Sequence, residues 1–481
     1  MTDSASRVIS TGTAGLDAIL HGGLPIHRLH LVQGTTGTGK TTLGLQFLLA
    51  GIRDGESCLY VTLAETEEEV GSIARSHGWS LAGLPIFYRR PFGEGAAQTV
   101  LHPAEVELPA AVDALLERVE SARPQRLVID SLSELRILAL QQRWFRRELI
   151  RLRARLDALE CTGLLLDTAL SSEAAESLLG GVVRLERHTP TYGSDRRRVH
   201  VLKMRGHEYE TGYHDVRIRR GGLAVYPRLV AAQHRGHVSA ETCSTGLAGL
   251  DAMLGGGLDR GTATLLLGPT GSGKSTVALR CAVAAAERGE HVLVYVFDER
   301  LQTVFARCAG IGIDLQSQVD AGRLALRQVD PSELTPGEFA TEVQERVAED
   351  GARLLVLDSL NAYLYAMPDE RLLGVHLHEL LSFLSQSGVT SVLIAAQHGP
   401  TMPTLAAEID VSYLADTAVL LRIVAVDGRL TKAISVYKRR AGAHQRSVRE
   451  LCLEPGRIAI GGTLPVEALM PNWVSTGETQ P

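Results

Sequence analysis

Nothing in this chain of 481 residues points to a disulfide or zinc framework. Its six cysteines (Cys58, Cys161, Cys243, Cys281, Cys308 and Cys452) are scattered, and no two form a C-x-x-C pair. That pattern leads us to expect a reducing, cytoplasmic setting. The segment Met1-Thr2-Asp3-Ser4 is polar and lacks the apolar core of a signal peptide. No apolar run approaches the length of a membrane span, so no membrane partner is expected. An excess of basic charge is missing as well. With 49 basic against 55 acidic residues the formal net charge is −6, which supplies no general pull toward nucleic acid. What the chain has is apolar bulk, 45% of its residues, enough for real cores in about two to four domains.

Two glycine-rich stretches dominate what is present. Gly34 to Thr41 reads G-T-T-G-T-G-K-T, and Gly268 to Ser275 reads G-P-T-G-S-G-K-S. Both fit G-x-x-x-x-G-K-[ST], a loop whose backbone N–H groups encircle phosphate oxygens. Glycine is needed there because a Cβ would obstruct the backbone as it closes around the anion. The candidate nucleotide contacts are Thr36, Gly37, Thr38, Gly39, Lys40, Thr41 and Thr42 in the first copy. In the second they are Thr270, Gly271, Ser272, Gly273, Lys274, Ser275 and Thr276. Lys40 and Lys274 reach the outer phosphates, and the hydroxyls of Thr41 and Ser275 are candidate Mg²⁺ ligands. A strand-like apolar run precedes each loop (29–32 and 264–267), and an amphipathic helical pattern follows it. Binding of ATP or GTP with Mg²⁺ is the expectation.

The loops belong to a longer internal repeat. Ser10 to Asp17, S-T-G-T-A-G-L-D, recurs at Ser244 to Asp251 as S-T-G-L-A-G-L-D, with the same spacing to the lysine in each copy. A period this long means tandem globular domains. We expect domain 1 over 1–232, a polar linker at 233–243, domain 2 over 244–462 and a tail at 463–481. Strand-like runs alternate with helical patterns in each copy, so the expected fold class is α/β, a mostly parallel sheet flanked by helices. Ligands of such sheets sit beyond the carboxyl ends of the strands.

Asp130 and Asp358 end apolar strands and are candidate Mg²⁺ ligands, where without a phosphate loop they would read as helix caps. Glu65 and the pair Asp298-Glu299 follow the second strand of their copies. A carboxylate there can orient or deprotonate an attacking water or hydroxyl, and Asp298 is also a candidate metal ligand. Glu67, Glu68 and Glu69 read instead as first-turn acids of a helix.

Together these motifs resemble the KaiC family, the tandem ATPases and autokinases of bacterial circadian clocks, over about residues 8–462. Arg75-Ser76-His77-Gly78-Trp79 resembles that family's R-S-x-G-W, and Lys203-Met204-Arg205 and Lys438-Arg439-Arg440 resemble its two K-x-R segments. The resemblance implies two tandem RecA-like P-loop NTPase domains that use ATP and Mg²⁺. It implies a homo-oligomer, a hexameric double ring with each ATP at a subunit interface, and signalling or clock partner proteins. In that picture Ser76 lies near the nucleotide, and Lys203, Met204, Arg205 and His207 approach from the neighbour. Lys432, Lys438 and Arg440 do so in domain 2. A cation supplied in trans stabilises charge on the transferring phosphoryl group. The family phosphorylates adjacent Ser and Thr residues. Here Ser412 and Tyr413 stand before Asp416-Thr417, so Ser412 is the expected phosphoacceptor and Tyr413 the weaker one.

One departure matters for activity. The family carries two successive glutamates after the second strand, whereas domain 1 has Ala64-Glu65 and domain 2 has Asp298-Glu299. Strand alternation would turn Glu65 to the face opposite residue 64, so turnover is expected mainly from domain 2. Two other classes stay open. RecA-like folds also serve DNA-dependent ATPases, and Arg143, Arg146, Arg147, Arg151, Arg153 and Arg155, or Arg196 to Arg198, can meet a phosphate backbone. The third class is a nucleotide-gated oligomeric scaffold with little turnover.

Overall fold

The repeat builds two units, Met1–Arg228 and Leu229–Pro481, in the computed structural model. The structure describes residues 7–88, 103–139, 141–168, 173–190, 193–233, 241–330, 333–365, 373–396 and 414–465.

In the first unit four strands are buried at every residue: Leu29–Gln33, Cys58–Thr62, Arg126–Asp130 and Thr162–Asp167. Strands covered by helices on both faces carry such near-continuous apolar runs. Six neighbouring strands run parallel, in the order Gly181–His188, Leu29–Gln33, Thr162–Asp167, Arg126–Asp130, Cys58–Thr62 and Ile86–Tyr88. Alternate residues feed two cores. Leu31, Leu127, Ile129 and Leu165 pack with Phe145, Leu149, Leu152 and Leu156, the seam of the helix Gln142–Ala158. Val32, Val128 and Leu166 pack with Leu43, Phe47 and Leu48 of the helix Lys40–Arg53.

The sheet does not stop there. Arg196–Met204, Tyr213–Arg219 and Gly222–Tyr226 extend it antiparallel beyond Gly181–His188, to nine strands. The second unit repeats the plan. Leu324–Gln328, His291–Val296, Ala352–Asp358, Thr390–Ala396, Ala263–Gly268 and Thr417–Val426 run parallel, and Arg429–Arg439, Arg449–Glu454 and Arg457–Thr463 add the antiparallel extension.

The repeated S-T-G-x-x-G-L-D has a local reason. Asp17 accepts from Ser10 Oγ (2.6 Å), Thr11 N (2.7 Å) and Thr11 Oγ1 (2.7 Å), pinning the segment that enters each unit. Asp251 does the same with Ser244 and Thr245, at 2.5–2.8 Å. Gly12 between them takes φ +78°, and a Cβ there would lie 2.5 Å from Gln46 O. Among the described residues no helix is long and apolar enough to cross a membrane.

Arg126 ties this frame together in the first unit. It is 1% exposed, ion-pairs with Glu56 and Asp54, and donates to Ser10 O (2.8 Å) and Phe47 O (2.9 Å). It also begins the strand that ends at Asp130. Arg126→Ala is expected to destabilise this unit by about 2–4 kcal/mol, since it leaves the carbonyls of Phe47 and Ser10 without their donor. Urea unfolding followed by the fluorescence of Trp79 and Trp144 reads the loss, and an unshifted midpoint would contradict the assignment.

Candidate functional site

The strand Leu29–Gln33 delivers residues 34–39 into the helix Lys40–Arg53, and Ala263–Gly268 delivers the second loop into Lys274–Glu287. Gly39 and Gly273 cap these helices with φ of 103° and 101°, a left-handed conformation that a side chain would strain. Each loop therefore turns its backbone onto a helix N-terminus, where free N–H groups favour an anion. Thr36, Gly37, Thr270 and Gly271 are exposed at the tips, while Thr38 and Ser272 are buried beneath them. Lys40 Nζ donates to Gly34 O (2.7 Å) and Thr35 O (3.0 Å), and Lys274 Nζ to Gly268 O (2.7 Å) and Pro269 O (2.8 Å). Burial holds both ammonium groups below the usual lysine pKa.

Beside each loop a hydroxyl meets a carboxylate. Thr41 Oγ1 donates to Asp130 Oδ2 at 2.7 Å, and the Ser275 hydroxyl is likewise bonded to Asp358. Burial raises the pKa of both aspartates, and these hydroxyls partly offset it. Two hard oxygen donors next to a phosphate loop fit Mg²⁺, with phosphate and water oxygens completing its shell. Groups of three or more His, Cys, Asp or Glu able to hold a metal are absent among the described residues.

The remaining carboxylates are wired differently in the two units. Glu65 does not turn away as strand alternation suggests. The strand ends at Thr62, so alternation has no hold on residue 65. Glu65 N donates to Thr62 Oγ1 (3.0 Å), and the same hydroxyl donates to Glu65 O (3.2 Å). The carboxylate comes back to within 3.4 Å of the Tyr60 hydroxyl, which lies 3.0 Å from Asp130 Oδ2. Burial first, then the charge of Asp130, pushes the Glu65 pKa up to about 7. In the second unit Asp298 Oδ2 accepts from Ser359 Oγ at 2.8 Å. Glu299 is gripped by Arg307 through two bonds, of 2.6 and 3.3 Å, and Arg307 also donates to Thr276 Oγ1 at 3.3 Å. Glu67, Glu68 and Glu69 occupy the first turn of the helix Glu67–His77, where Glu69 closes a capping box with Thr66.

Ser76 is exposed near the end of that helix and its hydroxyl bonds back to Ile73 O at 2.7 Å. Its neighbour His77 lies 3.4 Å from Thr42 Oγ1, so the helix end abuts the phosphate-binding helix.

Of the cationic segments, Arg197 meets the first loop, its Nε donating to Gly37 O at 3.1 Å, whereas the two K-x-R segments lie elsewhere. Met204 pairs with Gly181, which pairs with His30, so this segment stands at the amino end of the loop strand. Arg205 N donates to Gly180 O, and Arg205 Nη2 to Ser177 O (2.7 Å). Lys203 Nζ is bonded to Glu176 O, and His207 Nε2 lies 2.5 Å from Leu20 O. Arg205 is thus about a strand length, roughly 16 Å, from the loop of its own unit. Arg28, Arg153 and Arg205 line a cleft of about 390 Å³ there, with His27 and Asp157.

In the second unit Lys438 pairs with Ala418, level with Leu265, and Arg440 N donates to Asp416 O. Lys432 is not brought to them. It pairs with Ile423, six residues along the strand from Lys438, roughly 20 Å away. A second cleft, of about 400 Å³, gathers Arg422, Tyr437, His444 and Arg446. Sequence reasoning missed Tyr60 and Arg307, which no local spacing announces. Ser412 and Tyr413 lie outside the described residues.

A family model for the KaiC ATPase matches residues 9–230 and again 243–464. The chain is 27% identical to the circadian clock oscillator protein KaiC of Picosynechococcus sp., over 94% of this chain and 89% of that one. It is 26% identical to the protein of the same name from Synechococcus elongatus, covering 91% and 86%. The circadian clock protein KaiC3 of Synechocystis sp. is 25% identical, covering 96% and 92%.

Asp130→Asn and Asp358→Asn are each expected to cut the Mg²⁺-dependent part of nucleotide affinity at their own site by about tenfold or more. A fluorescent ATP analogue titrated with Mg²⁺ or with EDTA reads this, the other loop being silenced by Lys274→Ala or Lys40→Ala. Unchanged Mg²⁺ dependence would remove these aspartates from the metal site.

Proposed function

The chain belongs to the KaiC family of ATPases, and from that premise we propose that it works as an ATP-dependent ring, a hexamer, whose subunits complete one another's nucleotide sites. The observation that carries this reading is the separation of Arg205 and Arg440 from the loop of their own unit, although Arg197, which donates to Gly37 O at 3.1 Å, and Lys432 stand at the loop end. Arg205 and Arg440 stand at the amino end of the strand whose carboxyl end carries the loop. They act on a phosphoryl group only if a neighbouring copy presents one, which is a head-to-tail contact that closes into a ring. ATP binds with Mg²⁺ held by Thr41 and Asp130 in one site and by Ser275 and Asp358 in the other. The cations from the neighbour then stabilise the charge that develops as the terminal phosphoryl group leaves.

Both sites hydrolyse ATP in this account. Asp298 takes the water proton in the second site, and Glu299 is committed to Arg307. Glu65 takes it in the first, which replaces the expectation that the first domain turns over little. The second unit also phosphorylates Ser412 of the adjacent copy. Support comes from Asp416, four residues on, whose carboxylate accepts from Ala263 N (3.1 Å) at the amino end of the loop strand. The nucleotide within reach of that end belongs to a neighbour. Partner proteins in a signalling or clock-like pathway follow from the family. The arginine-rich helix favours protein contacts over DNA, because Arg151, Arg153 and Arg155 are already paired with Asp113, Asp157 and Glu120.

Light scattering is expected to find a ring with ATP and smaller species without it, with Lys40→Ala weakening assembly more than Lys274→Ala. A monomer under both conditions would sink the ring. Turnover is expected to be slow and indifferent to single-stranded DNA, and stimulation by DNA would favour a motor instead. Phosphopeptide mapping after incubation with Mg-ATP is expected to place phosphate on Ser412, lost in Lys274→Ala. An unmodified 403–422 peptide under turnover conditions would remove the kinase and leave the ATPase.

A further inference from the structure

Arg307 orients Glu299, and Ser359 orients Asp298. In the first site that work falls to two hydroxyls on one strand. Tyr60 and Thr62 are two residues apart and so lie on one face of Cys58–Thr62. Thr62 ties the backbone of Glu65, and Tyr60 meets its carboxylate. The matching strand of the second unit carries no hydroxyl at either place. Thr62 pairs with Asp130 as Val296 pairs with Asp358, so Tyr60 corresponds to Val294 and Thr62 to Val296. The unit that keeps an acidic residue at 298 has valines, and the unit with Ala64 in its place has the hydroxyls.

A tyrosine with 0% exposure needs one partner for its hydroxyl. Tyr60 has one proton and two carboxylates within reach, Asp130 at 3.0 Å and Glu65 at 3.4 Å, so its O–H is shared between them, and the nearer one is bonded to the Mg²⁺-site hydroxyl of Thr41. We infer that Tyr60 is a positioning residue for ATP hydrolysis in the first site, its hydroxyl holding the Glu65 carboxylate beside Asp130 and Thr41 in place of the acid missing at residue 64. The inference rests on the reading of Glu65 as the group that takes the water proton there. In that step the water oxygen bonds to the γ-phosphorus and the proton passes to Glu65. The bond from phosphorus to the bridging oxygen breaks, and its electron pair leaves on ADP.

The test uses the full chain carrying Lys274→Ala, so that turnover reports the first site. Tyr60→Phe removes one oxygen and is expected to lower kcat by about 10- to 100-fold, part of what a general base supplies. KM and the Mg²⁺-dependent affinity for a fluorescent ATP analogue are expected to stay within about threefold, since the loop is untouched and Asp130 keeps its carboxylate and its bond from Thr41. Glu65→Gln is expected to be at least as slow, and the double variant no slower than Glu65→Gln alone, because Tyr60 acts through Glu65. Adding Ala64→Asp to Tyr60→Phe is expected to restore part of the lost kcat. Full kcat in Tyr60→Phe, or multiplied losses in the double variant, overturns the role of Tyr60 while leaving that of Glu65. Lost nucleotide affinity in Tyr60→Phe makes it a core residue and overturns the proposal too. Full kcat in Glu65→Gln, or a first site with no turnover at all, defeats the underlying reading instead.

Discussion

A parallel strand has two ends, and in both units the phosphate loop stands at one while Arg205 or Arg440 stands at the other. A phosphate loop forms where the strand exits into a helix N-terminus, because that is where unpaired N–H groups gather. The antiparallel extension, which begins one strand away, returns the chain to the other end and leaves Arg205 and Arg440 there. No side-chain motion bridges roughly 16 Å, since an arginine reaches less than half of that from its backbone. The proposed ring and its neighbour-supplied charge rest on this one separation.

Within that shared frame the two sites have diverged by rewiring carboxylates. Both keep the lysine folded onto its loop and both keep the hydroxyl–aspartate pair. The carboxylates beside that pair are the part that differs. The second site uses a shorter acid fixed by a serine and ties up its glutamate with an arginine. The first has lost that acid and brings in the following glutamate through Tyr60 and Thr62.

Much of this was legible in the sequence, for identifiable reasons. The loops, the strand-ending Asp130 and Asp358 and the leucine seam of the helix Gln142–Ala158 are set by local spacing, which a single sequence displays. The direction of Glu65 was not legible, because alternation applies only within a strand and this strand stops at Thr62. The capture of Glu299 by Arg307 links residues on different elements, and no periodicity reports it. Lys432 looked equivalent to Lys438 in sequence, yet six residues of extended strand put it at the opposite end. The antiparallel extension was hidden for a related reason. Its strands alternate between buried and part-exposed residues, a weaker signal than the continuous apolar runs of the parallel core.

Complementation between two disabled chains tests most directly whether one copy completes another's site. One variant carries Lys40→Ala and Lys274→Ala and cannot hold the phosphates. The other keeps both loops but carries Lys203→Ala, Arg205→Ala, Lys438→Ala and Arg440→Ala. Each alone is expected to be nearly inactive. Mixed in equal amounts, with mixed rings confirmed by light scattering in ATP, they are expected to regain up to about a quarter of wild-type turnover, the share of contacts that join an intact loop to intact cations. A mixture as inactive as its parts, or a cation-free chain that turns over normally by itself, would contradict the account.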